Sequence, residues 1–184
     1  MPSGQLMEQM PIAAKPHGKL GERHYFNYKQ WVSLLEQEAN TLVQNPRENV
    51  NVLLGDSISL WFPPQLLPPE KYWLNQGISG ETSQGLLKRL NLLDRTQPEK
   101  IYLMIGINDL IKGISKEEIA TNHQKIVRQL LKVHPESKII LISILPHGGQ
   151  KTTWEGKDKL LKIPITEIQD LNRQLAQIAK EGRG

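Results

Sequence analysis

Hydrophobic residues recur along this chain in two alternating rhythms. From Tyr25 to Gln44, Trp31, Leu34, Leu35, Leu42 and Val43 sit at helical intervals among polar residues, and Asn45-Pro46 closes the run, which predicts a covering helix. Asn49 to Leu54 is instead a short apolar run with β-branched residues that ends at Gly55-Asp56-Ser57, the mark of a buried strand handing its last residues to a loop. Phe62 to Pro69 contains Pro63, Pro64, Pro68 and Pro69 and predicts an irregular loop. Tyr72 to Gln76 predicts a second strand leading into Gly77-Ile78-Ser79-Gly80, after which Leu86, Leu87, Leu90 and Leu93 give Glu81 to Leu93 a helical period. The order then repeats. Lys100 to Ile105 predicts a strand, Gly106-Ile107-Asn108-Asp109 a turn, and Ser115 to Val133 a helix, with Ser115 and Glu118 spaced as a capping box. Lys138 to Leu145 is the most hydrophobic strand candidate, broken by Pro146-His147-Gly148-Gly149. Beyond a polar loop, Ile165, Ile168, Leu171, Leu175 and Ile178 return to the helical period.

Strands alternating with helices imply an α/β domain with a mostly parallel sheet covered on both faces. In such a sheet, ligands gather outside the carboxyl ends of the strands, where loops converge and helix N-termini present unpaired N–H groups. Three polar clusters fall on that edge: Gly55-Asp56-Ser57, Gly77-Ile78-Ser79-Gly80 and Gly106-Ile107-Asn108-Asp109. Acyl transfer requires a hydroxyl nucleophile and preorganised donors for an oxyanion, and these loops hold both kinds of group.

Composition narrows the partners. The 184 residues are 38% hydrophobic and contain no cysteine, which fits one domain over residues 25–184 and points to a reducing, cytoplasmic setting without disulfides or thiolate metal sites. Residues 1–24 carry prolines and glycines but no unbroken apolar stretch, and read as a flexible leader, neither a signal peptide nor an anchor. No later stretch is long and apolar enough to predict a membrane span. The net charge of +4 is spread along the chain, without a basic run or zinc spacing, which argues against a nucleic-acid partner.

Together, Gly55-Asp56-Ser57-Ile58, Asn75-Gln76-Gly77-Ile78-Ser79-Gly80-Glu81-Thr82 and Gly106-Ile107-Asn108-Asp109 resemble the ordered blocks of the SGNH/GDSL hydrolases. The Gly-Ile-Ser-Gly-Glu-Thr stretch is most similar to the platelet-activating-factor acetylhydrolase branch. The resemblance covers residues 49–180. It implies a three-layer α/β/α flavodoxin-like fold and cleavage of carboxylic esters of lipids, sugars or small alcohols through an acyl-enzyme, as in esterases and lipases. It implies Ser57 as nucleophile, and the Ser57 N–H, the Gly80 N–H and the Asn108 side-chain amide as oxyanion donors. No metal or organic cofactor is implied. In this family the general base is a His three residues after an Asp, following the last strand, and no Asp-x-x-His occurs in the sequence. A chain short of the last strand and of that motif is the expectation, with a non-catalytic binding module or a truncated fragment as the alternatives.

The supporting residues have ordinary readings as well. Gly55 permits a tight turn, Asp56 caps the turn after the first strand, and Asp109 caps the next helix or braces the loop that holds Asn108. Glu81 is expected in the first turn of its helix. Of the histidines, His17, His24, His123 and His134 are expected at the surface, while His147 follows the fourth strand on the correct edge and is either a loop histidine near the substrate entrance or a replacement for the base. Trp61, Phe62, Leu66 and Leu67 either wall an acyl pocket or pack over the sheet edge.

Overall fold

The computed structural model describes residues 25–153 and 156–182. The expected leader, with His17 and His24, lies outside the described residues. Four parallel strands form one sheet: β1 (Val50–Gly55), β2 (Tyr72–Gly77), β3 (Lys100–Met104) and β4 (Lys138–Leu141), in the order β2-β1-β3-β4. The chain steps outward from β1 to β2 and then crosses back past β1 to β3, so the order in which strands are added reverses between β1 and β3. In open α/β sheets such a reversal marks where ligands bind, outside the carboxyl ends of the two central strands. In register, Gly55 lies opposite both Gly77 and Met104, which brings the three strand ends level.

Helices cover the sheet. α1 (Tyr28–Gln44) starts with the capping box of Asn27 and Gln30 and buries Trp31, Leu35, Ala39 and Leu42. A four-residue helix α2 (Ser57–Leu60) follows β1 directly, α3 (Ser83–Lys88) follows β2, and α4 (Ile107–Ile111) follows β3. The long helix α5 (Lys116–Val133) begins at Ser115, whose hydroxyl accepts the Glu118 N–H. A short α6 (Lys157–Leu160) precedes α7 (Ile165–Glu181), which packs on α5 through Ile168, Leu171, Leu175 and Ile178. β1 is buried along its whole length. Its Val50, Val52 and Leu54 share a core with Leu74, Ile101, Leu103, Leu86, Leu90 and Leu93.

Three elements differ from the sequence reading. The helix expected over Glu81 to Leu93 is α3 plus a 3-10 turn at Leu90–Leu93, because the backbone leaves the helical region at Arg89. The turn at Asn108 is the helix α4, and the Pro-rich loop contains a single 3-10 turn at Pro64–Leu66. The fourth strand ends at Leu141, although Ile142 N–H still reaches the Leu103 carbonyl. Beyond it, the Asn172 side chain on α7 both accepts from Ile144 N–H (2.8 Å) and donates to its carbonyl (2.9 Å), standing in for a strand neighbour.

His123 and His134, expected at the surface, are both buried, at 1% and 6% exposure. The helical period carries the reason: Ile119, His123, Ile126, Leu130 and His134 are spaced four, three, four and four apart and share the apolar face of α5. Burial lowers the pKa of both rings, and His123 Nδ1 is bonded to the Ile119 carbonyl.

Candidate active site

Each residue of the expected site is placed by the strand before it. β1 ends at Gly55 because the backbone there runs against β3 and α2: a Cβ at this position would lie 2.1 Å from the Met104 carbonyl oxygen and 2.6 Å from Ser59 Oγ. Asp56 caps α2, its Oδ1 accepting the Ile58 N–H at 2.9 Å, and this sets Ser57 at the first helical position, half-buried. On the neighbouring segment, Ile78 N–H donates to the Gly55 carbonyl (3.1 Å) and Glu81 N–H to the Ile78 carbonyl, forming a turn with Gly80 at its exposed tip. Gly80 has φ +76°, a left-handed conformation open to glycine at no steric cost.

The third segment joins the second through Asn108. Its Nδ2 donates to the Glu81 carbonyl at 3.0 Å, which fixes the amide and, among the described residues, leaves its other hydrogen without an acceptor. Asp109, 1% exposed, reaches in the other direction. Its carboxylate accepts the Ser83 N–H (2.9 and 3.1 Å) and the Ser83 hydroxyl (2.5 Å), and Asn122 on α5 donates to the same hydroxyl. Asp109 therefore braces α4 against the start of α3, behind Asn108. It does not cap a following helix. Among the described residues, the N–H of Ser57 and the N–H of Gly80 find no acceptor. Two backbone donors and one amide hydrogen are thus unengaged on three adjoining segments.

Glu81 is not in the first turn of a helix. It precedes the capping residue Thr82 and is 4% exposed, its Oε2 accepting from Arg89 Nε at 2.8 Å and from Tyr28 Oη at 3.3 Å, and its Oε1 accepting the Thr82 N–H. Arg89 in turn donates to the carbonyls of Gln76 (2.9 Å) and Gly55 (3.4 Å). The sequence reading missed this pair, although Arg89, three residues after Leu86 and four before Leu93, falls on the apolar face of its segment.

His147 lies in the loop after β4, and both ring nitrogens are engaged there: Nδ1 accepts the Gly149 N–H, and Nε2 donates to the Ile163 carbonyl at 3.0 Å. Trp61 packs edge-on to Trp31 in a core of Leu35, Leu60 and Ile78, so the packing alternative holds for it. Leu66 is exposed. Among the described residues there is no cluster of three His, Asp or Glu side chains suited to a metal, and no helix long and apolar enough to cross a membrane.

Burial raises the Asp56 pKa to about 6, opposed by the Ile58 N–H and reinforced by the charges of Asp109 and Glu81. A folded pKa above the unfolded value means that the group favours folding at low pH, and that this contribution fades as pH rises through about 6. Asp56→Asn keeps an oxygen for the Ile58 N–H and removes the titration. The stability of the wild type relative to Asp56→Asn is therefore expected to fall between pH 4 and 7, at up to about 1.4 kcal/mol per pH unit. Urea midpoints of the two proteins across that range check it.

The family model described as GDSL-like lipase/acylhydrolase matches residues 53–184. The rat platelet-activating factor acetylhydrolase IB subunit alpha2 is 31% identical over 111 residues, covering 57% of this chain and 47% of that protein. An arylesterase of Vibrio mimicus is 26% identical over 118 residues, covering 54% of this chain and 58% of that protein. The chain thus spans about half the length of these relatives. The crystal structure of a GDSL-like lipase from Bacteroides thetaiotaomicron shares the fold with a TM-score of 0.59 at 21% identity, over 83% of this chain and 76% of its own. With the sheet, the strand-end segments and the family match in agreement, this chain belongs to the GDSL-like lipase/acylhydrolase family, the SGNH hydrolases.

Proposed function

We propose that this chain carries the nucleophile and oxyanion donors of a serine hydrolase acting on carboxylic esters, as do the esterase and acetylhydrolase relatives it resembles. The observation that carries the reading is a set of donors without an acceptor among the described residues, Ser57 N–H, Gly80 N–H and the second amide hydrogen of Asn108, on the three strand-end segments, the first of which bears the half-buried Ser57 hydroxyl. Ser57 Oγ attacks the ester carbonyl and gives its proton to a base, while the three donors receive the oxygen as it becomes negative. The C–O bond to the leaving group then breaks, the alcohol takes the proton, and water releases the acyl group from Ser57. Each preorganised donor acts only once charge has developed, so it lowers the barrier without tightening substrate binding.

A second reading has one observation in its favour: His147 is held at both ring nitrogens, Nδ1 by the Gly149 N–H and Nε2 by the Ile163 carbonyl. On that reading the same donors bind a carboxylate or an acetylated ligand without turning it over. The experiment is exposure to a fluorophosphonate, followed by hydrolysis of p-nitrophenyl acetate. Attack by Ser57 Oγ on phosphorus expels fluoride and leaves one phosphonyl group on the Ser57 peptide, seen by mass spectrometry. Labelling with turnover supports the hydrolase. Saturable acetate binding with neither labelling nor turnover supports the binding module.

A further inference from the structure

We propose that Arg89 and Glu81 are positioning residues, a buried clamp that holds the nucleophile segment and the oxyanion segment in register; the role in catalysis rests on the hydrolase reading above. One guanidinium links the ends of β1 and β2 to the carboxylate of the residue that follows Gly80. Arg89 Nη2 donates to the carbonyl of Gly55, two residues before Ser57, and to that of Gln76, at the end of β2. Arg89 Nε holds Glu81, which adjoins Gly80, and the Glu81 carbonyl is the acceptor that orients the Asn108 amide. The side chains of the pair are 4% and 3% exposed.

Burying two charges is a poor route to stability, because their desolvation offsets much of their attraction, and apolar side chains of similar volume often serve as well. What apolar side chains cannot supply is direction. A guanidinium presents several N–H groups in a rigid plane, so a single side chain can fix a carboxylate and two carbonyl oxygens at set angles. Both carbonyls lie near the carboxyl ends of paired strands, so the guanidinium adds a fixed point where the ladder gives way to the loops of the site. Gly85 adds an independent sign that room is kept for this arrangement: a Cβ there would lie 2.0 Å from Glu81 Oε1. The helix α3 has a glycine in its interior where alanine is the better helix former, and the space so left is filled by the carboxylate.

Two variants separate positioning from folding. Arg89→Lys keeps a buried cation for Glu81 but cannot span the carboxylate and both carbonyls. Gly85→Ala keeps both residues of the pair and displaces the carboxylate within it. Both are made in the full chain and compared with wild type by p-nitrophenyl acetate kinetics per folded molecule, and by amide hydrogen exchange. Arg89→Lys is expected to lower kcat about 100-fold with KM within about threefold of wild type, the loss that displacement of a reacting group by about an ångström produces. Gly85→Ala shifts kcat in the same direction by roughly tenfold. In both, exchange quickens together in residues 55–60 and 78–82 and stays unchanged in α7. Wild-type kcat and wild-type exchange in both variants would overturn the clamp. If wild-type protein shows no turnover dependent on Ser57, the hydrolase reading fails and exchange alone decides: quickening confined to those two segments upholds the clamp, and unchanged exchange overturns it.

Discussion

Ester turnover is expected to fall by about 10⁴-fold or more in Ser57→Ala and by about 10²- to 10³-fold in Asn108→Ala, the two losses being measured as kcat on p-nitrophenyl acetate. The inequality follows from what each group does in the proposed mechanism. Without the Ser57 hydroxyl no acyl-enzyme forms, and whatever remains comes from water attacking an ester held by the donors. Without the Asn108 amide the covalent route survives, and the backbone N–H groups of Ser57 and Gly80 still receive the oxyanion. Asn108→Asp is a sharper case. It is nearly isosteric, but a carboxylate facing the Glu81 carbonyl and a developing negative charge repels both, so its kcat is expected to fall below that of Asn108→Ala. KM should change little in any of the three, because the oxyanion does not exist in the ground state. An unchanged kcat in Asn108→Ala, or a change carried mainly by KM, would show that Asn108 does not serve the transition state.

The strands and the polar segments that follow them are readable from sequence for a physical reason: buried parallel strands are continuous apolar runs, and each must end in residues that turn. β1 to β3 therefore fall within a residue of their expected bounds. Cross-links between segments are not readable in that way. Asp109 bonds Ser83, 26 residues away, and Arg89 reaches Gly55, 34 residues away; no local periodicity records either distance. Glu81 shows how a local rule misleads, since an acidic residue near a helix start is favoured by the helix dipole, yet here the dominant neighbour is a buried guanidinium. β4 ends early because Asn172, from a helix read correctly as apolar on one face, satisfies the backbone of Ile144 in place of a strand. The buried His123 and His134 were open to the same periodicity argument that placed Ile119 and Leu130, and only the polarity of their side chains obscured it.

Gly55→Ala is expected to destabilise the fold by more than about 3 kcal/mol, at or beyond the upper end of ordinary overpacking, measured as a lowered urea midpoint at unchanged slope. The clash is with backbone. The Met104 carbonyl oxygen sits 2.1 Å from the new Cβ, and it belongs to β3, directly paired with β1. A side chain could swing away from such a contact; a strand must move as a whole, taking Gly106 and Asn108 with it. Gly80→Ala makes the contrast. Nothing lies within 4 Å of its added Cβ, and the penalty is confined to a left-handed residue in an exposed turn, about 1 to 2 kcal/mol. The two glycines flank the same site for opposite reasons, one because another chain segment occupies its space and one because of its own φ. If Gly55→Ala proves no more costly than Gly80→Ala, the β1 and β3 strand ends are not in close contact.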